Sequence, residues 1–186
     1  MKVIGSPLGE RDIRSLKLGE QVLFNGDMIT GRDEMHIRAL SLARGGGDVP
    51  REILGSVLFH CGPIMRRSGE GWEVVAAGPT TSSRMDSLEP EMISRFGIRA
   101  IIGKGGMSRE VSEAMAATGC VYLAATGGAA VSLAEGIKKV TGVEWEDLGM
   151  AEAMWKLKAE RFGPLTVAMD SSGGSLYENV RLSLRR

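Results

Sequence analysis

The 186 residues carry 23 Lys plus Arg against 23 Asp plus Glu, with 43% hydrophobic and 25% charged residues. This balance is that of an ordinary globular protein, and it leaves no net field to recruit nucleic acid or an anionic membrane. No apolar run is long enough to span a bilayer and no signal-peptide core follows Met1, so a cytoplasmic protein forming one domain over residues 1–186 is expected.

The first 19 residues are polar and mixed, and read as an arm or edge strand laid over the domain. Residues 21–24 form a short β-type run, Asn25-Gly26-Asp27 carries a hairpin-turn signal, and residues 28–30 extend again. From Gly31-Arg32-Asp33 onward, Met35, Ile37, Leu40 and Leu42 predict a helix to about residue 43. Asp33 suits the positive end of that helix. Arg32 does not, because a cation there costs a few tenths of a kcal/mol unless an anion offsets it. The misplaced arginine points either to a bound anion or to a surface ion pair.

After the Gly45-Gly46-Gly47 loop, residues 53–61 read as a buried strand stopped by Gly62-Pro63. Residues 66–71 read as a polar turn, and residues 72–77 as a strand feeding Gly78-Pro79-Thr80-Thr81-Ser82-Ser83-Arg84-Met85-Asp86. Asp86, Ser87 and Glu89 offer N-cap chemistry for a helix over 87–96, with Pro90 tolerated in its first turn. Four hydroxyls and a guanidinium therefore sit on a strand-to-helix loop, where free N–H groups and a helix dipole favour an anion. A polar turn with a capped helix accounts for the nonapeptide equally well.

A strand over 98–102 is followed by Gly103-Lys104-Gly105-Gly106-Met107, and Ser108 caps a helix over 109–117. Glycine lets the backbone approach a ligand closely, and lysine supplies a compact charge. The spacing is neither a P-loop nor a dinucleotide fingerprint. A strand over 121–125 and a glycine loop at 126–130 lead into a helical stretch to about residue 139. Residues 143–145 are β-like, and residues 151–160 are rich in helix formers until Gly163-Pro164 breaks them. Residues 165–170 form a last buried strand, 171–174 a turn, and 177–186 a tail or helix. The alternation predicts a layered α/β domain.

Cys61 and Cys120 are too few for a zinc site built of cysteines or for an iron–sulfur cluster, and no metal bound by this chain is expected. Both lie in apolar sequence, as buried reduced thiols do. His60 and Cys61 are neighbours, and neighbours on a strand point to opposite faces, so they cannot act as base and nucleophile directly. If the strand ends converge, Arg32, Arg84 and Lys104 would face the Thr80 and Thr81 hydroxyls across one cleft. Three cations suit a small dicarboxylate. A threonine hydroxyl is a poor base without a neighbour to share its proton, and no such neighbour is evident in the sequence.

Thr30-Gly31-Arg32-Asp33-x-x-His36, His60-Cys61-Gly62-Pro63, the 78–86 nonapeptide and Ile102-Gly103-Lys104-Gly105-Gly106-Met107 resemble one family, in order. Leu148-Gly149-Met150-x-Glu152-Ala153-x-Trp155 and Phe162-Gly163-Pro164-Leu165 continue the pattern. The sequence resembles the C-terminal domain of class I (iron–sulfur) fumarases, which is also the beta subunit of two-subunit fumarases and L(+)-tartrate dehydratases. The resemblance implies a swivelling β/β/α three-layer domain and a hydro-lyase reaction. It implies that Thr80 transfers the proton, that Arg32, Arg84 and Lys104 bind substrate carboxylates, and that Asp33, His36, Thr81 and Asp86 support them from behind. A [4Fe–4S] cluster would lie on a partner alpha subunit, where three cysteines hold it and one iron acts as a Lewis acid, and that subunit would also supply the acidic partner of the threonine. Reversible hydration of fumarate is the expected reaction; L(+)-tartrate dehydration or a non-catalytic dicarboxylate-binding module are the alternatives. A homodimer or a dimer of alpha–beta units is expected too, with the segment around Met150 and Met154 as a candidate interface.

Overall fold

The structure is a computed structural model that describes residues 1–184. Its centre is a set of parallel strands in the order β1 (Lys2–Gly5), β2 (Gln21–Thr30), β3 (Val57–Phe59), β6 (Ala100–Gly103) and β7 (Val121–Ala125). The last three are short, apolar and buried on both faces, as parallel strands between two layers must be. Successive side chains alternate between two cores. Val57, Phe59, Ala100, Ile102, Val121 and Leu123 enter one, whereas Leu58, Ile101 and Tyr122 enter the other.

The second core is covered by α2 (Asp33–Arg44), α3 (Glu89–Phe96) and α4 (Arg109–Thr118), through residues such as Met35, Leu40, Met92, Ile93 and Met115. The first core is closed by β9 (Met154–Met169), which pairs antiparallel with β2, β7 and β8 (Ile137–Glu144). Hydrogen bonding thus runs from β2 through β3, β6, β7 and β9 and back to β2. Phe59 and Phe162 meet edge to face inside this ring, 5.3 Å between centroids. A separate hairpin, β4 (Ile64–Ser68) with β5 (Gly71–Ala76), packs on the same core, its Trp72 standing 5.1 Å from Trp155. Three shorter helices complete the chain: α1 (Glu10–Arg14), α5 (Ala130–Glu135) and α6 (Leu176–Ser183). The outcome is an antiparallel layer, a parallel layer and a helical layer. No helix among the described residues is long and apolar enough to cross a membrane.

Several expectations are corrected. Asn25-Gly26-Asp27 is not a hairpin: β2 runs straight through it, and Gly26, at a φ of 117°, sits in a register shift against β9. The positive φ that marks a turn in isolation here serves a bulge, because partners on both edges keep the strand extended. Residues 151–160 are not helical either. Residues 151–153 turn and residues 154–160 open β9, whose pairing with β2 and β8 overrides their helix propensity, and Gly163-Pro164 lies at an irregularity of that strand without ending it. The helix after Ala129 stops at Glu135 and gives way to β8, and the strand placed at 53–61 shrinks to β3. The polar turn at 66–71 is the body of the β4–β5 hairpin. Residues 1–19 do supply an edge strand, with α1 behind it; the last two residues of the C-terminal tail lie outside the described residues. Met154 is fully buried, which removes it from any interface, while Met150 is exposed.

Closure of the ring gives a stability prediction. Phe162→Ala empties a fully buried site against Phe59 and should cost about 3–5 kcal/mol in urea unfolding. A loss under about 1 kcal/mol would mean that the two layers do not share one core.

Candidate functional site

Because β2, β3, β6 and β7 are parallel, the loops after them leave from one edge of the molecule. Thr30 precedes Arg32, Phe59 precedes His60, Gly103 precedes Lys104, and Ala125 precedes the 126–128 glycine loop. Carboxyl ends of parallel strands are where open α/β sheets bind ligands. The 78–86 loop is laced across this edge. Pro79 bridges to Cys61 and Thr81 to Lys104. The Thr80 amide donates to the His60 carbonyl at 2.7 Å, and the Ser82 amide to the Lys104 carbonyl at 3.0 Å.

Arg32 is the N-cap residue of α2, with its side chain against Gly62. Its Nε lies 3.2 Å from Glu152 Oε1 without the alignment of a hydrogen bond, and both side chains are largely covered. Glu152 Oε2 accepts the Glu34 amide in the first turn of α2. The anion that offsets the misplaced arginine is therefore, within this chain, Glu152, carried to α2 by the segment leading into β9. Thr30 Oγ1 fixes that segment by accepting the Trp155 amide and donating to the Ala153 carbonyl. Arg84 Nη2 pairs with Asp33 Oδ2 at 2.9 Å, half exposed, a pair worth at most about 1 kcal/mol and open to exchange for a ligand carboxylate. Lys104 is half-buried, makes no ion pair among the described residues, and runs its stem past Gly127. Thr80 is half-buried, and its hydroxyl has no hydrogen-bond partner among the described residues.

The structure thus brings Arg32, Asp33, Thr80, Thr81, Arg84 and Lys104 to one edge. Asp86 is directed elsewhere: it does not cap α3, whose N-cap position is Leu88, but accepts the Ser108 amide at the start of α4. Burial lifts the Asp86 carboxyl above its ordinary range. His36 points inward, fully buried.

There it joins a group that the sequence did not assemble. Glu89 Oε2 lies 3.0 Å from His36 Nε2 and 3.1 Å from His60 Nε2, and all three residues are fully buried. His36 Nδ1 is 2.6 Å from the Arg32 carbonyl. His60 Nδ1 is 2.9 Å from Ser82 Oγ, which is in turn 3.0 Å from the Tyr122 hydroxyl. A Cβ at Gly103 would overlap Ser82 Oγ, so only glycine leaves this path open. The acceptors dictate the protons. A carbonyl and a carboxylate both only accept, so His36 donates from both nitrogens and is an imidazolium. His60 donates from Nε2 to Glu89; the Ser82 hydroxyl can donate to Nδ1 or accept from it, and burial, which lowers the His60 pKa, selects the neutral ring, with Ser82 donating to Nδ1 and Tyr122 donating to Ser82.

The electrostatics agree. Burial pulls the Glu89 carboxyl upward, but the two imidazoles beside it outweigh this and hold it at about 2. Burial works against protonated His36, and the Glu89 carboxylate more than compensates, leaving its pKa raised. Burial wins at His60, whose pKa is lowered. The three ligating atoms lie within 4.8 Å of one another, close enough to consider a metal. A cation would have to displace the protons of both Nε2 atoms, including that of the imidazolium, and the ion pair accounts for the geometry as it stands.

The cysteines do not fit cluster ligation or nucleophilic chemistry. Both are free and buried; burial pushes the Cys61 thiol up to about 12 and carries Cys120 above the usual thiol range. The sequence offered Glu89 only as a cap and His60 only as a base for Cys61, and it assigned no role to Ser82, Tyr122 or Glu152. One signal was available: the chain has two histidines, and both fall in motifs of the resemblance.

A family model described as "Fumarase C-terminus" matches residues 4–180. The chain is 42% identical over 181 residues to "Putative L(+)-tartrate dehydratase subunit beta" of Methanocaldococcus jannaschii, covering 97% of this chain and 93% of that protein. It is 35% identical over 186 residues to L(+)-tartrate dehydratase subunit beta of Escherichia coli K12, covering 100% and 91%. Against "Putative fumarate hydratase class I" of Geobacillus stearothermophilus it is 42% identical over 179 residues, 96% of this chain but 34% of that longer one. With the match extending from β1 into α6, the chain belongs to the fumarase C-terminus family.

Proposed function

We propose that the chain is the beta subunit of an iron–sulfur hydro-lyase acting on a C4 dicarboxylate, with its [4Fe–4S] cluster on an alpha subunit. The observation that carries this reading is the shared edge. Three cations and Thr80 gather at the strand ends, while the threonine hydroxyl has no partner in its own chain among the described residues. That is half of a proton-transfer site. The relatives named as beta subunits imply an alpha partner for themselves, and this chain spans them almost end to end.

In this reading Arg32, Arg84 and Lys104 hold the two carboxylates, and Arg84 exchanges Asp33 for the substrate. Dehydration removes a proton from the carbon beside one carboxylate and the hydroxyl from its neighbour. Thr80 Oγ takes that proton while its own hydroxyl proton passes to a carboxylate of the alpha subunit; hydration runs the same two transfers in reverse. Negative charge builds on the carboxylate as the C–H bond breaks, and fixed cations stabilise it there without reorganising. The residues of this chain are not suited to hold the cluster, so loss of the hydroxyl belongs to the partner.

Fumarate and L-malate are the first substrate pair. A second reading, L(+)-tartrate, is favoured by the names of relatives that match over most of their length, among them those of Methanocaldococcus jannaschii and Escherichia coli K12. One hydroxyl separates the pairs, and a polar contact to it can discriminate by orders of magnitude.

An anaerobic assay of the chain alone, then mixed with its cluster-loaded alpha subunit, tests the reading with fumarate, malate and tartrate. Activity only in the mixture is expected. Turnover by the chain alone would refute the split site, and dicarboxylate binding without turnover in a cluster-intact mixture would make it a binding module. Thr80→Ala should abolish turnover while sparing assembly and substrate binding; near-normal turnover would remove the threonine from the mechanism. Lys104→Met should weaken dicarboxylate binding by on the order of 2–5 kcal/mol, and an unchanged affinity would place the glycine loop outside the site.

A further inference from the structure

The His36–Glu89–His60 cluster is fully buried, one step behind the residues assigned to substrate. A carboxylate in such a place is costly unless its partners are well arranged, and Glu89 Oε1 has none at all. The cluster binds together parts of the chain that carry the open edge. Through His36 Nδ1 it reaches the carbonyl of Arg32. Through the His60 ring it reaches Ser82, whose amide is held by the Lys104 carbonyl. His60 also holds the Thr80 amide with its own carbonyl. Each group that the proposed function places on substrate, Arg84 excepted, is thus two or three bonds of this network from one carboxylate. Arg84 lies between them, in the 3-10 turn Ser82–Met85 that leads to Glu89.

We propose that Glu89 is a positioning residue, which through His36 and His60 fixes Arg32, Thr80 and Lys104 relative to one another. It touches no substrate and acts only through the two histidines. The charge count fits the role. One imidazolium and one carboxylate balance inside the protein, so the cluster locks three loops without adding net charge behind an anion site. The other titratable groups facing it are Asp33 at the start of α2, Asp86 before α3, Cys120 before β7 and Tyr122 on β7.

The inference rests on the function proposed above, and the experiment separates the two. The chain has two histidines, so nitrogen-15 NMR of the full chain reads the cluster directly. The expected spectrum has one imidazolium and one neutral ring carrying its proton on Nε2, both unchanged from about pH 6 through the free-imidazole value of about 6.5. The sign follows from the shifts: raised His36 keeps its proton as pH rises through that value, and lowered His60 stays neutral as pH falls through it. Two rings titrating together near about 6.5 would overturn the proposal.

In the complex with the alpha subunit, Glu89→Gln should lower kcat/KM by about 10- to 100-fold, raising KM as well as lowering kcat, because Arg32 and Thr80 both shift. Glu89→Asp, which keeps the charge, should recover part of the loss; a purely structural role would instead lower the folded fraction and leave kcat and KM of the folded enzyme alone. Should Glu89→Gln fail to fold, Ser82→Ala probes the His60 branch, which reaches Lys104 through Ser82 and Thr80 through the His60 carbonyl, and should lower kcat/KM by about threefold or more. Unchanged kcat and KM in the variant that folds would overturn the positioning role. If the wild-type complex turns over no dicarboxylate, the function falls, and the Arg32 and Thr80 amide shifts of the Glu89→Gln chain decide the positioning: movement supports it, invariance rejects it.

Discussion

Strand β9 is bonded to β2 along one edge and to β7 and β8 along the other, and this double pairing sets the rest of the molecule. It turns a run of parallel strands into two facing layers and encloses a buried apolar core around Phe24, Phe59 and Phe162. With that core filled, the helices have one remaining face to cover, and α2, α3 and α4 pack there. Parallel strands then bring their carboxyl ends together at a common edge by geometry alone. Chemistry-bearing loops that are distant in sequence become neighbours without any affinity for one another.

Charge at that edge is arranged in two tiers. The outer tier consists of Arg84 with Asp33, half exposed, Arg32 with Glu152, largely covered, and Lys104, half-buried and unpaired among the described residues. The half-exposed Arg84–Asp33 pair contributes little to stability and exchanges readily. The inner tier is fully buried, where removing one partner leaves a stranded charge and is strongly destabilising. A yielding outer tier over a fixed inner one suits a site whose substrate is an anion, since the ligand can replace weak contacts while the loops hold their spacing.

The incompleteness of the edge has the same physical basis. Thr80 has cations around it but no acceptor for its proton in its own chain among the described residues, and both cysteines are buried and protonated. A threonine hydroxyl without a proton acceptor is a poor base, and for that reason the proposed function calls on a residue of a second subunit.

The sequence by itself determined the elements whose signals are local. Periodicity marked α2, Ser108 caps α4 through its hydroxyl, and the apolar runs of β6 and β7 lie where they were expected. Motif order likewise singled out Arg32, Thr80, Arg84 and Lys104, which the structure brings to one edge. Only the tertiary structure decided the rest. Asn25-Gly26-Asp27 turns in isolation, but strands on both edges hold it extended. Residues 154–160 favour a helix, but burial between β2 and β8 makes them a strand. Glu89 read as a helix cap, and its partners stand 53 and 29 positions away. No local pattern encodes contacts of that range: pairing energy and burial are gained only when the chain has closed, and they outweigh propensities of a few tenths of a kcal/mol per residue.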